Sequence, residues 1–330
     1  MKKIVGILAA AAVLATSVFA ADVSAGVRLE GSLFNWNGST ASALSLKHNN
    51  QYYHAPIAFS VSGEKAGGTL KLTDQDRGND GSKDAAVKTS AWQIWLKPVD
   101  AVKLTFGCYK NTLNQESIGW YRTDSAIGGD DGDKGSYVAT FTPVDGLSVD
   151  LLFANTFGSA WFNGNSVAEL GLIAKYSADY GTIGALLDAN GNFTSLKFGA
   201  SFAGSAGAVN YWINALGYYN NGSFNKVRVE LFGAWSQDAL SLKLFVPTNI
   251  NLGSSVTVGV GAVFRLDYTM GAYTLFLEAE DGNFLANNFS MTIYPGFKTN
   301  VGGCDIELGV KLTAASTFTV DVPLQLKLSF

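Results

Sequence analysis

The only histidines, His48 and His54, stand in a polar stretch near the start of the chain. A hydrolase using a Ser/His/acid arrangement would need one of them beside a serine on a rigid element. The spacing supplies no such neighbour, and as a metal pair the two lack further ligands. Asp74, Asp76, Asp80 and Asp84, and later Asp130, Asp131 and Asp133, could offer carboxylates to Ca²⁺. Neither run has EF-hand spacing, and solvated acidic loops account for both. No catalytic, cofactor or metal site is expected. Charges spaced two apart are more informative: Lys226-x-Arg228-x-Glu230 and Arg265-x-Asp267. On a strand that spacing puts them on one face.

The same register elsewhere carries Arg28, Glu30, Lys103, Lys243, Glu278, Glu307 and Lys311. Around a water-filled bore these side chains would line the channel and set a transverse field. Alternatively, they are solvated wall charges that stiffen the barrel through ion pairs. With Lys175, Lys197, Lys327, Asp150, Glu169, Glu280, Asp305 and Asp321, which share that register, basic and acidic candidates number ten each. The ring of one sign that strong ion selectivity requires is therefore missing.

Elements that hold charges this way must alternate with period two, and they do. Phe318, Val320, Val322, Leu324, Leu326, Leu328 and Phe330 share one face, with Thr319, Asp321, Gln325 and Lys327 on the other. Val256–Tyr268, Leu240–Leu244, Ile306–Leu312 and Val102–Phe106 repeat the pattern. In a soluble sandwich the greasy face packs on a second sheet. In a membrane barrel it meets lipid and the polar face lines the lumen. Segment length and export favour the barrel: many stretches reach the 9–11 residues that a tilted transmembrane strand needs.

Composition agrees. Of 330 residues only 15% are charged, 47% are hydrophobic, and 37 are glycine. Disorder is excluded by the hydrophobicity. A net charge of −4 gives no basic field for nucleic acid. Lys2 and Lys3, the apolar run Ile4–Ala15, and Val18 and Ala20 at a cleavage site read as a secretory signal peptide, residues 1–20. Residues 21–330 then form a single domain without an apolar run long enough for a transmembrane helix.

Tight turns are predicted at Gly63–Gly67, Pro98–Ala101, Pro143–Gly146, Ala178–Gly181, Ala203–Gly207, Gln237–Ala239, Thr269–Gly271 and Asn300–Gly303. Longer connections alternate with them, among them Asn35–Asn50, Asn111–Lys134 and Thr248–Ser254. Short turns inside and long loops outside give an all-β, antiparallel up-and-down transmembrane barrel of about 18 strands, 16–20 with one hairpin misread. Such a bore is wide enough for water. Strand-end rings such as Tyr176, Tyr180, Tyr211, Trp212, Tyr218, Tyr268, Tyr273 and Tyr294 fit interfacial girdles. Cys108 and Cys304 fall on strands that this topology separates, so no disulfide is expected.

The longest loop, Asn111–Lys134, carries Glu116, Arg122, Asp124, Asp130, Asp131 and Asp133 beside Leu113, Ile118, Trp120 and Tyr121. Its apolar residues would let it fold inward and constrict the pore.

The leader, the segment Ala91–Gly107 and the terminal Phe330 resemble porin-like outer-membrane proteins of spirochaetes, treponemes in particular. Trp92, Trp95, Lys97, Pro98 and Asp100 carry the likeness. The resemblance implies an outer-membrane location and a passive pore, and assigns no catalytic or ligand residue. A terminal aromatic at Phe330 also looks like the signal read by barrel-assembly machinery. The expected function is diffusion of small hydrophilic solutes with weak charge selectivity. The alternatives are a substrate-selective channel, with Tyr109, Trp212 or Phe276 as a slide for sugars, and a structural or adhesin barrel. Expected partners are outer-membrane lipid, the assembly machinery, small solutes and a second copy of the chain; nucleic acid is not among them.

Overall fold

The computed structural model describes residues 20–45, 57–75, 86–115, 117–118, 121–122, 125–129, 134–156, 169–190, 193–286 and 290–329. His48, His54, Phe330 and all but the last residue of the expected leader lie outside them. Ala20 already opens the first strand, paired with Ser62.

The period-two stretches form eighteen strands among the described residues. They are β1 (Ala20–Trp36), β2 in two pieces (Ala41–Ser45 and Ile57–Ser62), β3 (Ala66–Gln75), β4 (Ala86–Val99), β5 (Val102–Gly107) and β6 (Lys134–Phe141). Next come β7 (Leu147–Thr156), β8 (Glu169–Ala178), β9 (Gly181–Asn190), β10 (Ser195–Ala206), β11 (Val209–Asn220) and β12 (Ser223–Gln237). The circuit continues with β13 (Leu240–Leu252), β14 in two pieces (Val256–Val260 and Ala262–Met270) and β15 (Tyr273–Asp281). It ends with β16 (Met291–Val301), β17 in two pieces (Cys304–Gly309 and Lys311–Ala314) and β18 (Phe318–Ser329). Each pairs antiparallel with its sequence neighbour. β18 then returns to β1, with Arg28 opposite Lys327 and Trp36 opposite Val320. The sheet closes on itself, which removes the edge strands an open sheet would expose.

All eight expected tight connections occur, with local shifts. β10 runs on through Ala206, so its turn is Gly207–Ala208 and does not begin at Ala203. β13 extends to Leu252, through residues expected to be loop. The chain also re-enters the wall at Ala41, within the expected Asn35–Asn50 loop. These polar stretches resemble loops because half of their side chains face inward, where polarity is tolerated. At the turn between β11 and β12, Asn221 and Gly222 both have positive φ (49° and 88°). That is the Asn-Gly geometry that matches the twist of a two-residue hairpin.

Burial alternates along the strands in the opposite sense to a soluble protein. Ile183 and Leu187 on β9, Tyr211 and Ile213 on β11, Leu231 on β12, Leu244 on β13 and Leu275 and Leu277 on β15 are exposed. The residues between them, Asn214, Glu230 and Glu278 included, are buried. An apolar exterior around a polar interior is the arrangement of a barrel solvated by lipid. Tyr176, Tyr180, Tyr211, Tyr268 and Tyr273 are exposed beside the short turns and form one girdle. Trp212, Tyr218 and Tyr294 do not belong to it: they stand in the inward register, opposite Phe232, Lys226 and Glu278 respectively.

β5 leaves the wall early. Gly107 has φ +113°, and a Cβ there would lie 2.3 Å from the carbonyl oxygen of Trp92. Only glycine fits both the backbone conformation and the space. Cys108 makes one more bond to β4, N–H to Trp92 O at 2.7 Å, and the chain then swings into the barrel. Cys108 is therefore not on a wall strand, contrary to the sequence-based expectation.

Candidate functional site: the barrel interior

Within the barrel, Tyr109–Thr112 pairs antiparallel with Ala126–Gly129, and Ser117–Ile118 pairs with Tyr121–Arg122. These hairpins lean on one sector of the wall, from β6 to β14. Leu113 and Ile127 join Val138, Leu152, Ile173, Leu186 and Leu216 in one buried cluster. Ile118 joins Trp212, Phe232, Phe245 and Val263 in another. The wall supplies recesses for the knobs. A Cβ on Gly171 would approach Ile127 to 3.0 Å, and one on Gly184 would approach Leu113 Cδ2 to 3.0 Å. Ile127 is 0% exposed, and each such side chain contributes about 1.5–3 kcal/mol when fully buried.

Polar contacts fix the register of the loop on this seat. Asn214 Nδ2 donates to Ser125 Oγ (3.2 Å), to the carbonyl of Asn114 (3.3 Å) and to Glu230 Oε2 (3.0 Å). Asn114 Nδ2 donates back to Asn214 Oδ1 at 3.0 Å. Glu230, 0% exposed, also accepts from Arg228 Nε at 2.7 Å. Arg228 Nη1 reaches Asn249 Oδ1 at 3.4 Å. At the other end of the loop, Tyr109 Oη and Asn111 Nδ2 both donate to Asp150 Oδ2. Lys175 Nζ donates to Asn111 Oδ1 at 3.3 Å, and Lys197 Nζ to the carbonyl of Ala126 at 2.6 Å. Charge-assisted bonds of this kind are worth about 1.5–3 kcal/mol each.

The sector from the lower part of β14 round to β18 has no loop against it among the described residues. Arg265 pairs with Asp267 at 3.1 Å and Glu278 at 3.0 Å. Lys298 pairs with Glu307 at 2.9 Å, and Glu307 also accepts from Tyr294 Oη at 3.2 Å. Lys311 stands 3.9 Å from Glu280. Phe276 lies beneath this layer, 4% exposed, with Arg265 4.5 Å and Lys298 5.6 Å from its ring centre. Gly296 makes room for that ring, since a Cβ there would come within 2.4 Å of Phe276 Cζ.

The charges predicted from the sequence therefore divide. Arg265, Asp267, Glu278, Glu307 and Lys311 face inward as one ion-paired layer. Lys226 and Lys103 face inward beside Tyr218 (4.8 Å) and Trp95 (5.1 Å). Lys243 stands opposite Arg265 in the ladder. Arg228 and Glu230 face inward too, but they serve the loop and are covered by it. Arg28 and Glu30 lie on β1 opposite Lys327 and Gln325. In the loop, Arg122 is opposite Ser117, whereas Glu116, Asp124, Asp130, Asp131 and Asp133 lie outside the described residues. The proposed aromatic slide does not form. Tyr109 is on the loop, Trp212 is beneath it and Phe276 is beneath cations.

The loop's apolar seat was missed in the sequence. Its signal is present: Leu152 stands two residues from Asp150, Ile173 two from Lys175 and Phe232 two from Glu230. These are apolar residues in the polar register of successive strands.

No family model and no curated protein matches the sequence. Among solved structures the chain is similar to OccK11 (OpdR) of Pseudomonas aeruginosa, with TM-score 0.62 at 8% identity over 94% of this chain and 96% of that one. It is similar to the outer membrane protein OpdK of the same organism, with TM-score 0.57 at 10% identity over 94% and 98%. A Rhodopseudomonas blastica porin variant superposes with TM-score 0.51 at 12% identity over 93% and 100%. The chain has a porin fold. Within that porin fold the interior is divided between a docked loop and an ion-paired wall.

Proposed function

We propose that the chain is an outer-membrane porin, exported by its leader, and that it passes small hydrophilic solutes with weak charge preference. The observation that carries this reading is a closed eighteen-strand wall, greasy outside and charged inside, with a loop occupying only one sector. Eighteen strands leave an aqueous bore, and the loop confines passage to the β14–β18 side. There Arg265, Asp267, Glu278, Glu307 and Lys311 line the path. Their mutual pairing supports weak net selectivity, because neither sign dominates. The likeness of Ala91–Gly107 to spirochaete outer-membrane proteins and the terminal Phe330, as an assembly signal, are in keeping with this reading.

Planar-bilayer reconstitution of the purified barrel tests it. Stepwise conductance with a small reversal potential in a salt gradient is expected, and no conductance would overturn the channel reading. A substrate-selective channel is the second reading, favoured by the fixed charges around the narrowed passage. OpdK, a structural neighbour, has been solved with vanillate. Saturable block of the current by a solute would favour this reading over simple diffusion.

A further inference from the structure

In the sector without a loop, the inward register nearest the short turns forms two ladder rows on β16, β17 and β18. In the upper row Lys298 stands opposite Glu307, and Glu307 opposite Gln325. In the lower row Asn300 stands opposite Asp305, and Asp305 opposite Lys327. Neighbouring strands lie about 4.8 Å apart, so donors and acceptors alternate across the patch at about that spacing. These six residues line a cavity of about 360 Å³, bounded toward the periplasm by Ala272 on the turn between β14 and β15. Asn300, Asp305 and Lys327 are exposed.

The patch holds two ammonium groups and two carboxylates, and they are already matched. Lys298 Nζ pairs with Glu307 Oε2 at 2.9 Å, Asn300 Nδ2 donates to Asp305 Oδ1 at 2.7 Å, and Lys327 stands beside Asp305. A solute ion has to displace one of these partners, whereas a hydroxyl does not. An ammonium carries three N–H groups and a carboxylate about four lone-pair sites. Lys298 spends one N–H on its ion pair, and Glu307 spends two sites, on Lys298 and on Tyr294. What is left over both donates and accepts. A vicinal diol, whose hydroxyls also donate and accept, is suited to it. Phe276, one row above, is 4% exposed beneath Arg265 and Lys298, so it offers no ring face to stack on.

We infer that this patch is a subsite for small, uncharged polyhydroxy solutes of about monosaccharide size. Solute hydroxyls donate to Asp305 and Glu307 and accept from Lys298, Lys327 and Asn300. The assignment deepens the substrate-selective reading and takes its channel as given. On that reading the loop confines passage to this side of the bore, so a solute crosses the patch on its way to the periplasm. Recognition comes from paired charges and needs no aromatic slide.

Two measurements test the site with glucose as the probe: single-channel current in a planar bilayer, and saturation-transfer NMR of the refolded barrel in detergent. Glucose should lower the conductance saturably, and its ring protons should receive magnetisation from the protein. Triethylene glycol, which has no vicinal hydroxyls, should lower conductance only in proportion to bulk conductivity. Asp305→Ala combined with Lys327→Ala should weaken apparent glucose affinity at least about tenfold, since a hydrogen bond to a charged group is worth a decade or more. Heat-modifiable gel mobility reports whether that variant is folded, and the triethylene glycol comparison needs no variant. Equal effects of glucose and triethylene glycol would overturn the proposal, as would unchanged glucose affinity in the folded variant. So would block by the zwitterion glycine at lower concentration than by glucose. A wild type that conducts but passes no magnetisation to glucose would overturn this proposal alone. Transfer to glucose without conductance would overturn the channel reading and leave the binding site standing.

Discussion

The two sectors of the barrel interior are built on one alternation and hold opposite surfaces. Beneath the loop, the inward positions of β6–β14 include Val138, Leu152, Ile173, Leu186, Phe232, Phe245 and Val263, all buried. Across the bore, the inward positions of β14–β18 are Arg265, Glu278, Tyr294, Lys298, Glu307 and Lys311, tied into ion pairs. Wall geometry does not distinguish them, because one antiparallel ladder runs round both. Inward registers are polar where water meets the wall and apolar where a second layer of chain meets it. The loop sector is therefore a small conventional core inside an inverted protein.

The comparison breaks most sharply if the seat is filled. Gly171→Val with Gly184→Val puts methyl groups where Ile127 and Leu113 now sit, 3.0 Å or less from their carbons. The loop should be expelled, raising single-channel conductance severalfold and exposing it to protease. Unchanged conductance would mean that the loop does not narrow the passage. Glu230→Ala is expected to have the next largest effect. It strips Asn214 and Arg228 of a buried partner, and breaking such a pair costs about 3–5 kcal/mol. Loop proteolysis should accelerate in this variant while the barrel stays closed and heat-modifiable.

Arg265→Ala sharpens the contrast from the other side. It leaves Asp267 and Glu278 without their shared cation, and the reversal potential in a salt gradient should move toward cation preference. Loop proteolysis should stay at the wild-type rate; acceleration would mean that the sectors are coupled. The smallest effect is expected outside both. Lys65, on the short turn between β2 and β3, bonds Asp100 on the turn between β4 and β5 and holds its carboxyl below the usual range. A depressed folded value adds stability only above the unfolded pKa of about 3.9, and that stability is lost as pH falls below it. The pair is exposed, so Lys65→Ala should leave stability at neutral pH unchanged and slightly flatten its acid dependence.

Turns were legible in the sequence because Gly, Pro, Asn and Asp have local conformational reasons to be where they are. Strand count followed from alternating them with the longer connections. Asn111–Lys134 was recognisable as an inward-folding loop because Leu113 and Ile118 have no reason to stand on an exposed one. Its seat was not recognised, since equating the inward face with polar residues hides Leu152, Ile173 and Phe232. Glu230 was likewise read as a lumen charge, because its burial depends on a segment about one hundred residues earlier in the chain. The exit at Gly107 was missed as well: Cys108 keeps the apolar register of Leu104 and Phe106, and only the backbone reveals the positive φ.

The most direct test replaces residues 113–133 with a short glycine–serine linker and compares single-channel conductance with the wild type in the same salt. A docked loop filling one sector of an open bore predicts larger steps, with ion preference still set by the Arg265 layer. Steps of unchanged size, or a wild type that conducts nothing, would contradict it.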